Sequence, residues 1–430
     1  MKIEFWQKIW RIVWRWQNIG LLLLSVGLSF IVYISNNWPV PIAEEIGWYT
    51  FGELIKAKPP VSGTYDTLNP LYIDVSHDKQ LIEFYDNETG ECIGNTAITD
   101  RQKLLSLIKL LRTTGQYKYV FLDLGFEKKY KTEVDSALFA EISSMKRIVI
   151  PNDSEMDLAA DSLLTDKAAL DDYYTTIVET NFVRFQLTRG RKPTMPFYAY
   201  SEITGDSIRE YHILPHISLY ICGEKLCYNS LFVHFPIATE DADHQGSKRQ
   251  AYEPMGYNIL EEYDENNIAE FAELTKDRYV VIGDMEGDVH STYVGNRPGP
   301  VIIFNAFRAL MAGEHFVSIW SLVFLTIVFF GISLYISRYF SWYEWICAPF
   351  YKICHLFCRS FWKEKSSKYF VKVVGKPVVP IGSFLLSFIG YGTILMVVIF
   401  ALNMFWNIAL NVFIPTFLLM LMKKIVDNKK

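Results

Sequence analysis

The chain lacks the short motifs that usually announce a chemistry. Its 430 residues contain no Gly-x-x-x-x-Gly-Lys-Ser/Thr phosphate loop, no Gly-x-Ser-x-Gly elbow and no His-Glu-x-x-His helix. Nucleotide-loop ATPases, α/β-hydrolases and zincin proteases therefore have no starting point here. No segment combines a long basic run with interleaved aromatics, which excludes nucleic acid as an expected partner. Cysteine is scarce at six residues, too few for a disulfide-dense scaffold. Charge is missing altogether from residues 19–35, 316–337 and 381–422. Half of the residues are apolar, which is ample for a folded core and excludes disorder.

The three uncharged stretches predict a membrane topology. Residues 18–35 and 316–337 each match one helical crossing, and the 42 residues of 381–422 make about 63 Å of helix, enough for two, at 381–402 and 404–422. The turn of that pair is expected near Asn403–Asn411, although these asparagines could instead bond between helices. Trp6, Trp10 and Trp14 recur every four residues beside Lys8, Arg11 and Arg15. That spacing suits an interfacial amphipathic helix over 1–17, with a cleavable signal peptide as the competing reading. Residues 338–380 and the tail 423–430 are basic, which puts both termini on the cytoplasmic side of a bacterial inner membrane. The 280 residues 36–315 then lie outside the cytoplasm. They carry 26 basic and 43 acidic side chains, a net −17, while the rest of the chain is +12.

Within 36–315 the pattern is α/β. Continuous apolar runs at 71–75, 119–124, 147–151 and 279–284 alternate with helical patterns at about 100–112, 133–144, 265–274 and 304–313. Such runs predict a mostly parallel sheet with helices on both faces. Thr99 with Gln102 reads as a capping box. The middle, about 171–238, is richer in β-formers and reads as an insertion into one domain, with a hairpin turning at Gly223.

Asp74, Asp123, Asp284 and Asp288 fall at or just after strand ends. That rim is where open α/β sheets bind ligands, and clustered carboxylates there could hold a metal or act as acid and base. Equally, they could cap helices or fix loops. His290, between Asp288 and Thr292, is either a ligand contact or a polar loop residue. Cys222 and Cys227 flank the hairpin turn and could face each other as a structural disulfide. His212 with His216, and Cys347, Cys354 and Cys358 with His355, have spacings that suit solvated loops and one face of an interfacial helix better than a metal site. No metal or cofactor is expected.

Several blocks resemble the type 2 CHASE domain, a bacterial extracytoplasmic sensory module. YIDVSHDK and KYVFLDLGFE are similar to its first two strands, with Asp74 and Asp123 in the usual places, and EVDSALFAEISSMKRIVIP to the helix and strand that follow. The most specific block is DRYVVIGDMEGDVHSTYVG with GPVIIFNAFRALMAG, which brings in Asp288, His290 and Thr292. Two positions depart: Thr292 is followed by Tyr293 rather than proline, and the family's Glu and His before the last helix are absent from Pro300–Phe304. The resemblance implies a non-enzymatic, membrane-anchored sensor of an unknown ligand. With no kinase or cyclase in the chain, its output would pass through a separate protein partner. An extracytoplasmic metal-dependent hydrolase or transferase, and an accessory subunit of a membrane complex, are the competing readings.

Overall fold

The computed structural model describes residues 16–35, 37, 68–85, 91–126, 130–152, 163–170, 184–190, 192–214, 217–232, 252–263, 267–292 and 295–339. The chain forms two units, Glu45–Phe316 and, from both ends, Met1–Glu44 with Val317–Lys430.

The strands in chain order are β1 (Pro70–Asp74), β2 (Lys79–Tyr85), β3 (Cys92–Thr99), β4 (Tyr119–Asp123), β5 (Ile148–Pro151), β6 (Ala168–Ala169), β7 (Arg184–Gln186), β8 (Thr188–Arg189), β9 (Lys192–Pro193), β10 (Ile208–Leu214), β11 (Ile217–Cys222), β12 (Lys225–Cys227), β13 (Ser230–Phe232), β14 (Tyr252–Pro254), β15 (Tyr279–Gly283), β16 (Val289–Thr292) and β17 (Gly295–Pro298). The helices are α1 (Trp16–Ser35), α2 (Arg101–Thr114), α3 (Asp135–Ser144), α4 (Met195–Thr204), α5 (Ile268–Thr275), α6 (Gly299–Met311) and α7 (Ile319–Tyr339).

The centre of the first unit is a six-stranded parallel sheet in the order β14-β1-β15-β4-β5-β6. Successive side chains of a strand point to opposite faces, and here both faces are apolar. Leu71, Ile73, Val120, Leu122, Ile148, Ile150, Val280 and Ile282 pack into one core with α2, α3 and α5. Tyr72, Tyr119, Phe121, Val149, Tyr279 and Val281 pack into the other with α4, α6 and the inserted strands β7 and β11–β13. The chain is therefore α/β, with its parallel sheet covered on both sides. Where the spans are read from the sequence as 71–75, 119–124 and 279–284, they fall within a residue of the observed strands.

Helix α2 shows how local chemistry sets a boundary. Its N-cap is Asp100, one residue later than the expected Thr99, and its carboxylate accepts from the Gln102 and Lys103 N–H groups at 3.0 Å each. Gly115, at φ 61°, closes the other end by donating its N–H to the Leu111 carbonyl. Asp100→Ala removes an acceptor from two exposed backbone donors. It should lower stability by about 1 kcal/mol, measurable as a shift of the urea midpoint with an unchanged slope; no shift would mean that the cap is dispensable.

The membrane topology expected from the sequence is corrected by the second unit. Among the described residues, no helix is long and apolar enough to cross a membrane. Four transmembrane helices and a multi-pass inner-membrane location are therefore not supported, and the division of charge loses the meaning that such a topology gave it. The physical reason lies in what the two described stretches do. Helices α1 and α7 pair with each other: Ser29 Oγ lies 3.1 Å from Thr326 Oγ1, and Leu28, Val32, Tyr33, Leu325 and Phe329 are buried. Ser25, Ser29, Ser321 and Ser333 are buried among them. An uncharged run was thus an incomplete measure, because it does not distinguish side chains used in helix pairing from side chains facing lipid. The amphipathic helix expected over 1–17 lies outside the described residues except for Trp16 and Gln17, and the expected loop 338–380 does so except for Arg338 and Tyr339, which end α7; the expected helices 381–402 and 404–422 and the tail 423–430 lie outside them altogether.

Candidate functional site

The path of the chain singles out one edge of the sheet. After β1 and after β4 it crosses to the face carrying α2 and α3, whereas after β15, which lies between them, it crosses to the face carrying α6. Connections that part to opposite faces leave a crevice at the carboxyl ends of the strands, the usual ligand position in an open α/β sheet. The register puts Asp74, Gly283 and Asp123 side by side on that rim.

The β1/β15 side of the crevice is tightly cross-linked. Asp74 Oδ1 accepts from the Ser76 N–H at 2.9 Å and the Met285 N–H at 3.1 Å, and the Ser76 hydroxyl also reaches Asp74. Ser76 Oγ is 2.8 Å from Asp284 Oδ1 and accepts from the Glu286 N–H at 3.0 Å. Asp284 Oδ1 further accepts from the Glu286 and Gly287 N–H groups at 3.2 and 2.5 Å, and its Oδ2 accepts from Lys79 Nζ at 2.6 Å. Burial pushes the pKa of Asp284 up. The hydrogen bonds from Lys79, the Gly287 N–H and Ser76 outweigh it and hold the carboxyl below its ordinary value. Oδ1 of each aspartate thus accepts from loop backbone N–H groups, which is the loop-fixing role weighed in the sequence.

Asp288 and His290 are placed differently. Their side chains meet, His290 Nε2 lying 2.8 Å from Asp288 Oδ1, and the Asp288 side chain is 43% exposed. The Asp288 carbonyl accepts from the Gly299 N–H at 2.7 Å, so the residue sits at the first turn of α6, whose dipole favours a carboxylate. A Cβ at Gly299 would fall 2.0 Å from Asp288 Oδ2. Only glycine leaves room for this carboxylate. Thr292 is buried on the same strand as His290, at the turn end of the β16–β17 ribbon opposite Gly295; it lies four residue steps from Asp288, roughly 13 Å along an extended chain.

No family model, curated protein or solved structure matches this chain. The resemblance to type 2 CHASE domains therefore gains nothing from these comparisons, and the site rests on its own geometry.

The structure brings together Asp74, Asp123, Asp284 and the Asp288–His290 pair along one rim, and leaves Thr292 at the end of the ribbon. Sequence reasoning missed Ser76, Lys79, Gly283 and Gly299. The two glycines carried a signal: each ends an apolar run or opens one, at Gly283-Asp284 and Gly299-Pro300, where a backbone must pass close to something.

Cys222 and Cys227 are both buried. Strand pairing sets Cys222 opposite Lys225 and Cys227 opposite Tyr220, so the two cysteines are diagonal rather than facing. Burial, and secondarily the charge of Asp206, push the Cys222 thiol up to about 11, which keeps it protonated and unreactive at neutral pH. Among the described residues no group of three or more His, Cys, Asp or Glu side chains could hold a metal ion.

Proposed function

We propose that the Glu45–Phe316 unit is a non-enzymatic binding domain that takes a small polar ligand at the β15 rim, with occupancy read by a separate protein partner. The observation that carries this reading is the divergence of the connections around β15, which places the half-exposed Asp288–His290 pair beside the crevice. Asp288 would accept a hydrogen bond from a ligand amine or hydroxyl, and His290 would orient it. The rigid bonding of Asp74 and Asp284 supports binding over acid–base turnover, because carboxylates committed to backbone N–H groups are poorly placed to exchange protons with a substrate. The same rim is where the sequence blocks resemble a sensory domain.

The test is a thermal-shift screen of the full chain against amino acids, polyamines and sugars, followed by titration of any stabilising compound. In Asp288→Asn, affinity should fall about tenfold or more, as expected for loss of a charge-assisted hydrogen bond. Equal affinity for the variant would remove Asp288 from the site. Conversion of the compound into product would favour the hydrolase or transferase reading.

A further inference from the structure

The segment that follows α6 carries an unusual buried group. His315 is fully buried, at 0% exposure. Neither ring nitrogen has a hydrogen-bond partner among the described residues. Its ring lies against Phe316, tilted by 37° at 3.9 Å between centroids, and makes a T-shaped contact with Tyr200 at 5.1 Å. Buried imidazoles normally have at least one nitrogen engaged, so this one is held by packing alone.

The backbone around it is what fastens the end of the unit. The His315 carbonyl accepts from the Tyr228 N–H at 2.8 Å, and Phe316 forms an antiparallel bridge with Cys227. Residue 316 is the last of its unit, and α7 begins three residues later. We propose that His315 is an acid-operated latch, whose protonation releases the 314–316 segment from the end of β12. The idea is independent of any ligand at the β15 rim.

Burial is the chief obstacle to a proton held in place, and the charges near the ring do not overcome it. The Asp206 carboxylate, after α4, favours a charged ring, but its Oδ2 already accepts from the Tyr200 hydroxyl at 3.1 Å. Lys225 of β12, whose Nζ sits 4.9 Å from the Phe316 ring centroid, opposes the charge. Among the described residues Tyr200, Cys222 and Cys227 are further titratable groups of this core, whose pKa values are all raised, mainly by burial, so that they stay neutral here. Glu314 precedes the ring in the chain. Protonation would add a second N–H donor to a ring whose nitrogens have no hydrogen-bond partner among the described residues, a costly arrangement.

Burial, the largest influence, lowers the His315 pKa to about 4. For a base depressed in this way the closed form is fully favoured above the ordinary value near 6.5 and loses ground as pH falls toward 4. The opened fraction should rise roughly 20-fold between pH 7 and pH 5.

Hydrogen exchange of the full chain reads this directly, because the Tyr228 amide is bonded to the His315 carbonyl. After correction for the chemical exchange rate, Tyr228 protection should fall roughly 20-fold from pH 7 to pH 5, and it should stay well below that of the Val120 and Val281 amides of the central sheet at both pH values, the mark of a local release. In His315→Phe, which keeps an aromatic ring and removes the titration, Tyr228 protection should not change with pH; His315→Leu serves if that variant does not fold. A change of less than twofold in the parent, an equal change in the variant, or Tyr228 protection equal to that of the central sheet at pH 5 would each overturn the latch.

Discussion

Phe304→Ala should destabilise the Glu45–Phe316 unit by about 3–5 kcal/mol, the range for removing a fully buried Phe side chain. The size follows from position. Phe304 lies on α6 where it faces three strands at once, with ring centroids 6.0 Å from Tyr72 of β1, 5.8 Å from Phe121 of β4 and 5.8 Å from Tyr279 of β15. The first two contacts are near-perpendicular, at 84°, the edge-to-face geometry that adds to simple burial. Phe304 is 0% exposed and its neighbour Phe307 is equally buried. A cavity there cannot collapse easily, because the three strands are held in register by their own ladders. Urea unfolding of the full chain should show the loss as a lower midpoint at constant slope, with Phe304→Leu costing about a third as much. A loss below 1 kcal/mol would mean that α6 is not seated on the sheet as described.

Gly283→Ala should be strongly damaging although it replaces a single hydrogen by a methyl group. A Cβ at this position would lie 2.3 Å from Pro300 Cγ, 3.1 Å from Pro300 Cβ and 3.3 Å from the Asp123 carbonyl oxygen. Neither neighbour yields readily: the first is a rigid ring in the first turn of α6, and the second belongs to a paired strand. Overpacking of this kind costs about 1–3 kcal/mol, and we expect the upper end. The strain also spreads, since α6 would have to move away from β15 and take the Gly299–Asp288 contact with it. Pairing Gly283→Ala with Pro300→Ala removes the clashing ring atom and should recover more than half of the loss. If the double variant is no more stable than the single one, the close approach of α6 to β15 is not what excludes a side chain.

These two positions show what the sequence could reveal and what it could not. The strands at the centre of the sheet were legible because both faces of each are buried, which leaves an uninterrupted apolar run such as YVFLD or YVVIG. β14 and β6 were not. They have three and two residues, too few to carry a period, and β14 ends in a proline that argues against a strand. Helix α4, MPFYAYSEIT, is rich in aromatic and β-forming residues that locally favour extended structure, and tertiary packing of Phe197 and Tyr200 overrides them. Helix α6 starts five residues before the expected Phe304 because nearly all its residues are buried, so it shows no polar face from which a helical repeat could be counted.

The site divided along similar lines. Aspartates after strands were visible as candidates, yet nothing in one dimension separates an aspartate that ties down its own loop from one that faces outward. That distinction depends on partners far away in the chain: Met285 for Asp74, and Lys79 for Asp284. The uncharged stretches misled for a related reason, since the pairing of α1 with α7 joins Ser29 to Thr326, 297 residues apart.

The strand order also bears on how the sheet is assembled in time. β4, β5 and β6 follow each other closely and can pair early. β1 cannot join them, because its two neighbours are contributed much later: Tyr72 pairs with Tyr252, and Asp74 with Gly283. Until β15 emerges, β1 and β4 are open edges with nothing between them, and contacts of such long sequence separation form slowly. One five-residue strand, inserted last, unites the two halves. A nascent or truncated chain that stops before Gly283 would expose both edges, the condition under which chains pair with one another instead of with themselves.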